Sequence, residues 1–293
     1  MIAVDWGTSN LRAWRLDATG SVVDSAERPS GGILNVPAGG FPTALRELVG
    51  GWIAAGESLV LLCGMVGSRQ GWVEAPYLSC PAGPAELAGA LTALPFPEAR
   101  TLIVPGLTAR DANGVPEVMR GEETKLLGLM PELGGRDATV CMPGTHCKWA
   151  GMEGGRVTGF ATHMTGEVFA VLSGHSILGR TIDVGAAPDW DAFDRGLARA
   201  RQGGGLLHHL FGVRALHLIE DMAPAAGASY LSGLLIGHEV AAVGGDGPVQ
   251  LVGTGGLVAR YARALGDRAV PHDGAALVIA GLHAIGRQVE GRA

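Results

Sequence analysis

The chain has 293 residues, of which 47% are hydrophobic and 17% are charged, and its formal net charge is -6. This composition excludes a disordered chain, and the length predicts one large or two medium domains. The acidic balance argues against a nucleic-acid partner, because no basic stripe is present to neutralise phosphates in series. We expect a cytoplasmic protein without membrane contact, since the chain shows no secretory leader, no membrane-span-like run and no CxxC pair among its four cysteines.

The first segment predicts two strands, at residues 2–4 and 11–16, joined by a polar turn. The turn collects Asp5, Gly7, Thr8, Ser9 and Asn10. Glycine lets the backbone approach a ligand closely, and the N–H groups of such a turn form a concavity that binds anions. Asp5, at the end of the strand, can hold a hydrated metal ion. The turn therefore predicts a phosphate site, with a plain polar hairpin tip as the alternative.

Strands and helices alternate after this hairpin and predict an α/β domain. The predicted elements are strands at 21–27, 58–63 and 100–104 and helices at 42–55 and 84–94. Ligands of such domains bind beyond the carboxyl ends of the strands. The glycine loop at 64–72, which follows a buried strand, is therefore expected at the ligand face.

Two glutamates begin the next predicted helix. Glu122 and Glu123 follow Gly121, and acids in a first helical turn favour the helix dipole, which is a sufficient structural explanation. If a phosphoryl group is transferred, however, a side chain must accept the proton of the attacking hydroxyl. These two glutamates are then the best candidates, ahead of Asp111 and Glu167.

The plan of the opening hairpin recurs in the middle of the chain. Residues 138–142, 147–152 and 156–162 predict strands, and a polar turn at 143–146 contains Gly144 and Thr145, which correspond to Gly7 and Thr8. The repeat predicts a duplicated domain with both turns facing one cleft. The second turn has Pro143 where an acid could stand, but it adds His146 and, just beyond it, Lys148, one of only two lysines.

Helices dominate the remaining residues. They are predicted at 165–173, 191–202, 206–211 and 229–242. The last is strongly apolar, which fits either the core or a homodimer interface. Residues 249–265 predict a strand, a turn and a helix, and this arrangement is a common nucleotide site. The turn contains Gly253, Thr254, Gly255 and Gly256. It lacks the GxGxxG and GK[ST] patterns, so it is a weak motif by itself.

Seven motifs in order carry a family resemblance: DWGTSNLRAW from Asp5, GMVGS from Gly64, APYLSCPAG from Ala75, VMRGEET from Val118, MPGTHCKW from Met142, MTGEVF from Met164 and YLSGLLIGHEV from Tyr230. The first resembles a phosphate motif of the acetate and sugar kinase, heat-shock chaperone and actin superfamily. The set more closely resembles the 2-dehydro-3-deoxygalactonokinase family. This implies an α/β fold of two RNase H-like (actin-like ATPase) domains flanking a nucleotide-binding cleft. We expect residues 1–135, joined by a C-terminal helix at 274–290, to form the first domain and residues 136–273 the second.

The resemblance implies ATP-dependent phosphorylation of the 6-hydroxyl of 2-dehydro-3-deoxy-D-galactonate, with Mg²⁺ as cofactor. A kinase for the C4-epimeric sugar acid and a polyphosphate or nucleotide phosphohydrolase of the same superfamily are the alternatives. A nucleotide-dependent structural or chaperone protein of the actin type is a third.

Site roles follow from the resemblance. Asp5 is the expected metal-side acid, and Glu122 or Glu123 the base, with the choice left open. Phosphate and nucleotide are expected at Gly7, Thr8, Ser9, Gly144, Thr145, His146, Lys148, Gly253, Thr254, Gly255 and Gly256. The sugar acid is expected at Asn10, Arg12, Gly64, Met65, Ser68, Trp72 and Arg120. Its carboxylate calls for an arginine clamp, and Arg12, Arg69 and Arg120 all remain candidates.

Overall fold

A computed structural model of the chain describes residues 1–291. The strands are β1 (Ile2–Trp6), β2 (Leu11–Leu16), β3 (Val22–Arg28), β4 (Leu59–Cys63), β5 (Tyr77–Ser79), β6 (Thr92–Ala93), β7 (Arg100–Ile103), β8 (Gly106–Arg110), β9 (Pro116–Met119), β10 (Ala138–Met142), β11 (Cys147–Glu153), β12 (Arg156–His163), β13 (Val249–Val252) and β14 (Ala269–His272). The helices are α1 (Phe41–Ala54), α2 (Pro84–Gly89), α3 (Glu122–Leu133), α4 (Thr165–His175), α5 (Trp190–Ala200), α6 (Gly205–Glu220), α7 (Pro224–Val243), α8 (Gly255–Leu265) and α9 (Gly274–Glu290).

The chain divides into two compact units. The first comprises residues 1–138 and 150–161 and the segment from Asp273 onward, and the second comprises 139–149 and 162–272. The predicted domains differ from these units mainly at residues 150–161, which the sequence-based boundary assigns to the second domain. The domain boundaries at 135 and 273 stay predictions.

The first unit is built on a six-stranded mixed sheet with the order β3-β2-β1-β4-β7-β6. β1 is antiparallel to β2 and parallel to β4, and β4 is parallel to β7. In this register Asp5 lies beside Arg12 on one neighbouring strand and Cys63 on the other. The short apolar run of β1, the alternation of β2 and the continuous apolar run of β4 place Val4, Leu62 and their neighbours in a fully buried core.

Two features of this unit differ from the sequence-based prediction. The predicted helix at 84–94 is too long: α2 ends at Gly89, because Thr92 and Ala93 form a short strand paired with β7. β-Branched residues such as Thr92 favour strands over helices. A small sheet with the order β5-β8-β9 was not predicted, because its strands have only three to five residues and carry little hydrophobic pattern.

Helix α3, which begins with the two candidate glutamates, is fixed by very close packing on α9. A Cβ atom added at Gly128 would lie 2.0 Å from the carbonyl oxygen of Leu277, and one added at Gly281 would lie 2.0 Å from that of Thr124. Only glycine allows backbones to approach so closely. The C-terminal helix therefore determines where the start of α3 lies in the first unit.

A second sheet has five strands in the order β12-β11-β10-β13-β14, in which β10, β13 and β14 are parallel. This order repeats β3-β2-β1-β4-β7 of the first unit, as expected of a duplicated domain.

The long apolar helix α7 lies in the core of its own unit. Gly233 and Gly196 let it pack closely on α5, since a Cβ at Gly233 would lie 2.0 Å from the carbonyl oxygen of Phe193. Leu231 and Leu234 of α7 are completely buried. Of the two environments expected for this helix, the core is the one observed. Within residues 1–291, no helix has both the length and the apolar character needed to cross a membrane.

Candidate active site

The first glycine turn is held by a second loop that packs beneath it. Gly7 N–H donates to the carbonyl oxygen of Asn10 at 3.0 Å, and Gly32 N–H donates to that of Ser9 at 2.9 Å. A Cβ at Gly32 would lie 2.2 Å from the carbonyl oxygen of Thr8, so this supporting position requires glycine. The turn is thus fixed through its backbone, while the side chains of Thr8, Ser9 and Asn10 are exposed.

Asp5 is half-buried at the end of β1. Burial raises the pKa of its carboxyl above the ordinary value, and the positive charges of Lys125 and Arg12 lower that pKa by a smaller amount. Gly64 closes over it from the end of β4. Its φ of +95° is in the region that favours glycine, and a Cβ there would lie 2.8 Å from the carbonyl oxygen of Trp6 and 3.3 Å from Asp5 Oδ1. A side chain at position 64 would therefore crowd the Asp5 carboxylate, and glycine avoids this contact.

The residues before α3 pack onto the same point. Gly121 has a φ of +104°, and a Cβ there would lie 3.2 Å from the Cα atom of Gly64. The charge of Glu122, the next residue, contributes to the raised pKa of Asp5. Two acids that are far apart in the chain, Asp5 and Glu122, are thus brought into electrostatic contact, with Lys125 as the nearby cation.

The two glutamates at the start of α3 differ in environment. Glu123 has no exposed surface, and its oxygens accept hydrogen bonds from Gly121 N–H at 2.7 Å and from the hydroxyl of Thr124 at 3.3 Å. Burial, followed by the charge of Glu122, raises the pKa of Glu123 to about 8, so that it is largely protonated at neutral pH. Glu122 is half-buried, and its Oε2 accepts from Arg120 N–H at 3.1 Å.

Of the three arginines considered for the substrate, two lie at the surface. Arg12 forms an ion pair with Glu27 on the adjacent strand, with Nε and Oε1 2.9 Å apart. The side chain of Arg69 is 87% exposed and lies 3.5 Å from Glu74. Both can interact with solvent in the present conformation, and exposed pairs of this kind contribute little to stability.

Arg120 is the buried candidate. Its Nη2 donates to the carbonyl oxygen of Ala75 at 2.7 Å, and its guanidinium lies 4.3 Å from the centre of the Tyr77 ring. Across the described part of the chain, Arg120 Nε and Nη1 and the hydroxyl of Ser68 are buried without a hydrogen-bond partner. A Cβ at Gly67 would lie 3.0 Å from Nη1, so these unpaired groups belong to one region. Buried polar groups are normally satisfied, and such exceptions are typical of places where water or an ion binds.

The remaining predicted substrate residues follow β4. Met65 begins a short 3₁₀ turn immediately after Gly64. The Trp72 ring is stacked on Phe41 at a centroid distance of 6.3 Å and contacts Phe96 edge-on at 6.1 Å. Trp72 is therefore half-buried at the margin of the first unit's core, in the same loop as Ser68.

In the second unit, the start of α4 packs directly on the other glycine turn. A Cβ at Gly166 would lie 2.5 Å from the carbonyl oxygen of Gly144, and Glu167 N–H donates to the carbonyl oxygen of Thr145 at 3.0 Å. The exposed imidazole of His146 forms a hydrogen-bonded pair with the carboxylate of Glu167. The turn and the helix N-terminus thus form one local structure.

Lys148 and Cys147 follow this turn on β11. Lys148 is buried on β11, and its Nζ donates to the hydroxyl of Thr162 at 2.8 Å. Cys147 faces Cys141 inside the unit, with the two Sγ atoms 3.7 Å apart and both thiols free. His146, which precedes β11, is by contrast on the surface.

A cavity of about 260 Å³ adjoins the second turn. It is lined by Gly144, Thr145, Thr165, Gly166, Phe169, Ser232, Leu235, Ile236, Leu257 and Arg260. Apolar walls with a few polar groups are typical of small-molecule sites. The lining residues of α4 and α7 were not predicted individually, although all six fall inside the MTGEVF and YLSGLLIGHEV motifs. The apolar ones, Phe169, Leu235 and Ile236, look like core residues at helical spacing.

The predicted turn at Gly253–Gly256 leads into this cavity wall. Gly253 N–H donates to the carbonyl oxygen of His272 at 3.1 Å, and α8 begins at Gly255. The residues of α8 that line the cavity are Leu257 and Arg260, in the first and second turns of the helix. The Nε atom of Arg260 is buried and, among residues 1–291, has no hydrogen-bond partner.

Two sheets that share one order over five strands, each with a glycine turn after its first strand, define a two-domain α/β protein with the actin-like ATPase fold. A distant solved structure has this fold as well: the activator of the 2-hydroxyisocaproyl-CoA dehydratase from Clostridium difficile with bound ADPNP, at 15% identity, a TM-score of 0.51 and coverage of 100% of this chain and 96% of that one. More specifically, the chain belongs to the 2-keto-3-deoxy-galactonokinase family, which it matches over residues 5–285.

Relatives of high similarity carry the corresponding names. A probable 2-dehydro-3-deoxygalactonokinase of Rhizobium meliloti is 43% identical over 98% of this chain and 96% of its own length. A 2-dehydro-3-deoxygalactonokinase of Escherichia coli is 36% identical over 90% of this chain and 88% of its own. The crystal structure of a protein described as a putative 2-dehydro-3-deoxygalactonokinase from Sinorhizobium meliloti has a TM-score of 0.87, 40% identity and 98% coverage of both chains. The family resemblance inferred from the motifs is confirmed.

Proposed function

We propose that the chain catalyses ATP-dependent phosphorylation of the 6-hydroxyl of 2-dehydro-3-deoxy-D-galactonate. Family membership and the names of the relatives support the reaction class and the substrate. The observation that carries the proposal in this chain is the placement of Glu122 beside Asp5, with Lys125 nearby, at the ends of β1 and α3. A carboxylate pair of this kind can serve both a metal ion and a proton transfer.

Glu122 is the residue to which we assign the role of general base. A base must reach its substrate and must be ionised at the working pH. Glu122 is half-buried, whereas Glu123 is enclosed, has both oxygens hydrogen-bonded and has its pKa raised to about 8. In this assignment Glu123 is a neutral hydrogen-bonding group that holds the backbone of Gly121, and through it the orientation of Glu122.

Asp5 is the residue to which we assign Mg²⁺. Carboxylate oxygen suits this hard cation, which keeps several waters and so needs few protein ligands. Burial disfavours the charged form of Asp5 and so raises its pKa, whereas a nearby cation favours the charged form. Lys125 already lowers the pKa of Asp5 in this way, and a bound metal ion would add to the effect. When bound, the ion supplies charge neutralisation at the nucleotide phosphates.

The nucleotide is assigned to the cavity of the second unit. Phe169, Leu235 and Ile236 supply apolar walls suited to a purine base. The N–H groups around Gly144 and the N-terminus of α4 provide the positive end of a helix dipole for phosphate oxygens. His146 and Lys148 keep their predicted phosphate roles as part of the proposal, although Lys148 donates to Thr162 in the present conformation. The turns Gly7–Ser9 and Gly253–Gly256 likewise remain predicted phosphate and adenosine contacts.

The substrate carboxylate is assigned to Arg120 and Ser68. Their three buried, unpaired polar atoms lie around Gly67, and a carboxylate can accept from all of them. Arg12 and Arg69, in contrast, lie at the surface beside glutamates. Asn10, Gly64, Met65 and Trp72 are proposed to form the remainder of the sugar-acid site.

We further propose a cytoplasmic enzyme with a small sugar acid as its partner and no nucleic acid. The four free cysteines support a reducing compartment. A homodimer also stays a proposal. The apolar helix that suggested a dimer interface, α7, is buried within its own unit and does not support it.

A coupled ATPase assay with a panel of 2-keto-3-deoxy sugar acids tests the function. The expected result is ADP release that requires the galactonate-series acid and yields a 6-phosphate ester detected by ³¹P NMR. ADP release at the same rate without any sugar acid would replace the kinase by a phosphohydrolase. A higher kcat/KM for the gluconate-series epimer would reassign the substrate while keeping the kinase chemistry.

A further inference from the structure

Glu239, a residue of α7, is a carboxylate almost completely buried in the second unit, with 4% of its surface exposed. Its Oε1 accepts a hydrogen bond from the indole Nε1 of Trp149 at 2.6 Å. Its Oε2 accepts from the hydroxyl of Tyr261, also at 2.6 Å, and from the hydroxyl of Thr165. Three neutral donors therefore converge on one carboxylate.

The donors come from the separate elements that surround the nucleotide cavity. Thr165 is the first residue of α4 and lines the cavity itself. Tyr261 follows Arg260, a lining residue of α8, and Trp149 lies on β11, the strand that leaves the second glycine turn. Helix α7, which carries Glu239, contributes three further lining residues, Ser232, Leu235 and Ile236. The carboxylate thus connects three helices that line the cavity, α4, α7 and α8, with the neighbouring strand β11.

Stability alone is a poor explanation for a carboxylate at this place. Removing a charge from water costs several kcal/mol even when the charge is hydrogen-bonded, and apolar residues of similar size are often at least as stable. Cys141 and Cys147 lie close by, and their sulfur atoms and a Glu239 oxygen are within 4.8 Å of one another. The carboxylate oxygens are already occupied by donors, however, so the geometry favours a hydrogen-bonding role over metal binding.

We propose that Glu239 is a positioning residue for ATP: it fixes the Thr165 hydroxyl and the N-terminus of α4 against the Gly144–Thr145 turn. This inference rests on the proposed function, because it takes the cavity as the nucleotide site. Thr165 immediately precedes Gly166, whose contact with Gly144 leaves no space for a Cβ. A small displacement of Thr165 therefore moves the helix N-terminus that is assigned to the phosphates.

The test is Glu239→Gln, which keeps the size of the side chain but places an amide N–H₂ where one oxygen now accepts. Trp149 can still donate to the amide oxygen, whereas the hydroxyls of Tyr261 and Thr165 must turn or move. The expected result is a rise of about tenfold or more in the KM and Kd for ATP. The kcat and the KM for the sugar acid stay within about twofold, because Glu239 touches no reacting group.

Ser229→Ala is the matched control, since it removes another buried acceptor of the same helix, which Asp189 N–H reaches at 2.9 Å, outside the cavity lining. It should lower the thermal midpoint without changing the KM for ATP. If Glu239→Gln fails to fold, Tyr261→Phe removes a single donor and should raise the same KM by a smaller factor.

The outcomes separate this inference from the proposed function. Wild-type protein that phosphorylates the sugar acid, together with a Glu239→Gln variant that binds ATP as tightly as wild type, overturns the positioning role alone. Equal shifts in the KM for ATP in Glu239→Gln and in Ser229→Ala overturn it too, because they would show a general loss of stability. Wild-type protein with neither ATP binding nor phosphoryl transfer overturns both.

Discussion

Replacing Glu123 by glutamine should change how the stability of the protein depends on pH. Glutamine keeps an oxygen that can accept from Gly121 N–H, and the neighbouring Thr124 hydroxyl can reorient toward the amide. The substitution therefore removes the titration of a fully enclosed carboxyl with little change of packing. The pH dependence attributed to Glu123 should disappear with it.

The magnitude follows from the pKa of Glu123, which burial raises from 4.5 to about 8. Below about pH 4.5 the carboxyl is protonated in the folded and unfolded chains, and it has no effect on stability. As the pH rises toward 8, the unfolded chain releases the proton while the folded chain keeps it, so the free energy of unfolding decreases by up to ~1.4 kcal/mol per pH unit. Between pH 5 and pH 9 the loss is about 4 kcal/mol, on an order-of-magnitude basis.

Urea unfolding of wild type and Glu123→Gln at intervals from pH 5 to pH 9 measures this loss. The variant should gain stability relative to wild type as the pH rises. Glu132→Gln makes the same change of charge on an exposed side chain of the same helix and is the control, in which the pH-dependent gain should be absent. A difference between wild type and Glu123→Gln that stays constant across this pH range would refute the reasoning.

Two further substitutions test the two units separately, each against a control. Gly166→Ala should raise the KM for ATP and lower the free energy of unfolding by about 1–3 kcal/mol, because its Cβ would lie 2.5 Å from the Gly144 carbonyl oxygen. Gly174→Ala is the control on the same helix, where the added Cβ meets open space. In kinetic and thermal-melting assays it should be neutral or stabilising. Arg120→Lys should raise the KM for the sugar acid by about tenfold or more, because the planar fork of donors is lost, whereas Arg69→Ala should leave that KM unchanged. Equal kinetic effects within either pair would contradict the corresponding assignment.

Local patterns in the sequence were sufficient for the elements that bear the motifs. The strand-turn-strand plan around Gly7 and its repeat around Gly144 appear in the structure as two sheets of the same order. The C-terminal helix was predicted at 274–290, and α9 covers the same residues. These signals are local: apolar alternation, glycine turns and helix starts are encoded within a few neighbouring residues.

Features that depend on distant contacts could not be predicted in this way. The proximity of Lys125 to Asp5 depends on the packing of α3 against α9, where Gly128 meets Leu277 far along the chain. The different environments of Glu122 and Glu123 have the same origin, since adjacent residues of one helix turn differ only in what packs on them. The rarity of lysine was the one available signal for Lys125.

The cavity walls illustrate a second limit. Phe169, Leu235 and Ile236 have the spacing and character of ordinary core residues, and only the packing of α4 on the Gly144–Thr145 turn leaves space beside them. Glu239 is similar, because a single acid in an apolar helix gives no indication of its three donors. Such arrangements follow from tertiary packing, which a pattern read along one element does not contain.

Single-turnover phosphoryl transfer by Glu122→Gln tests the central assignment most directly. With ATP and the sugar acid saturating, loss of the general base should slow transfer by about 10²–10⁴-fold, while the Kd for ATP measured by calorimetry remains that of wild type. Glu123→Gln should retain transfer within about tenfold, because that side chain is enclosed and largely neutral at pH 7. Transfer by Glu122→Gln at a rate close to wild type would contradict the account.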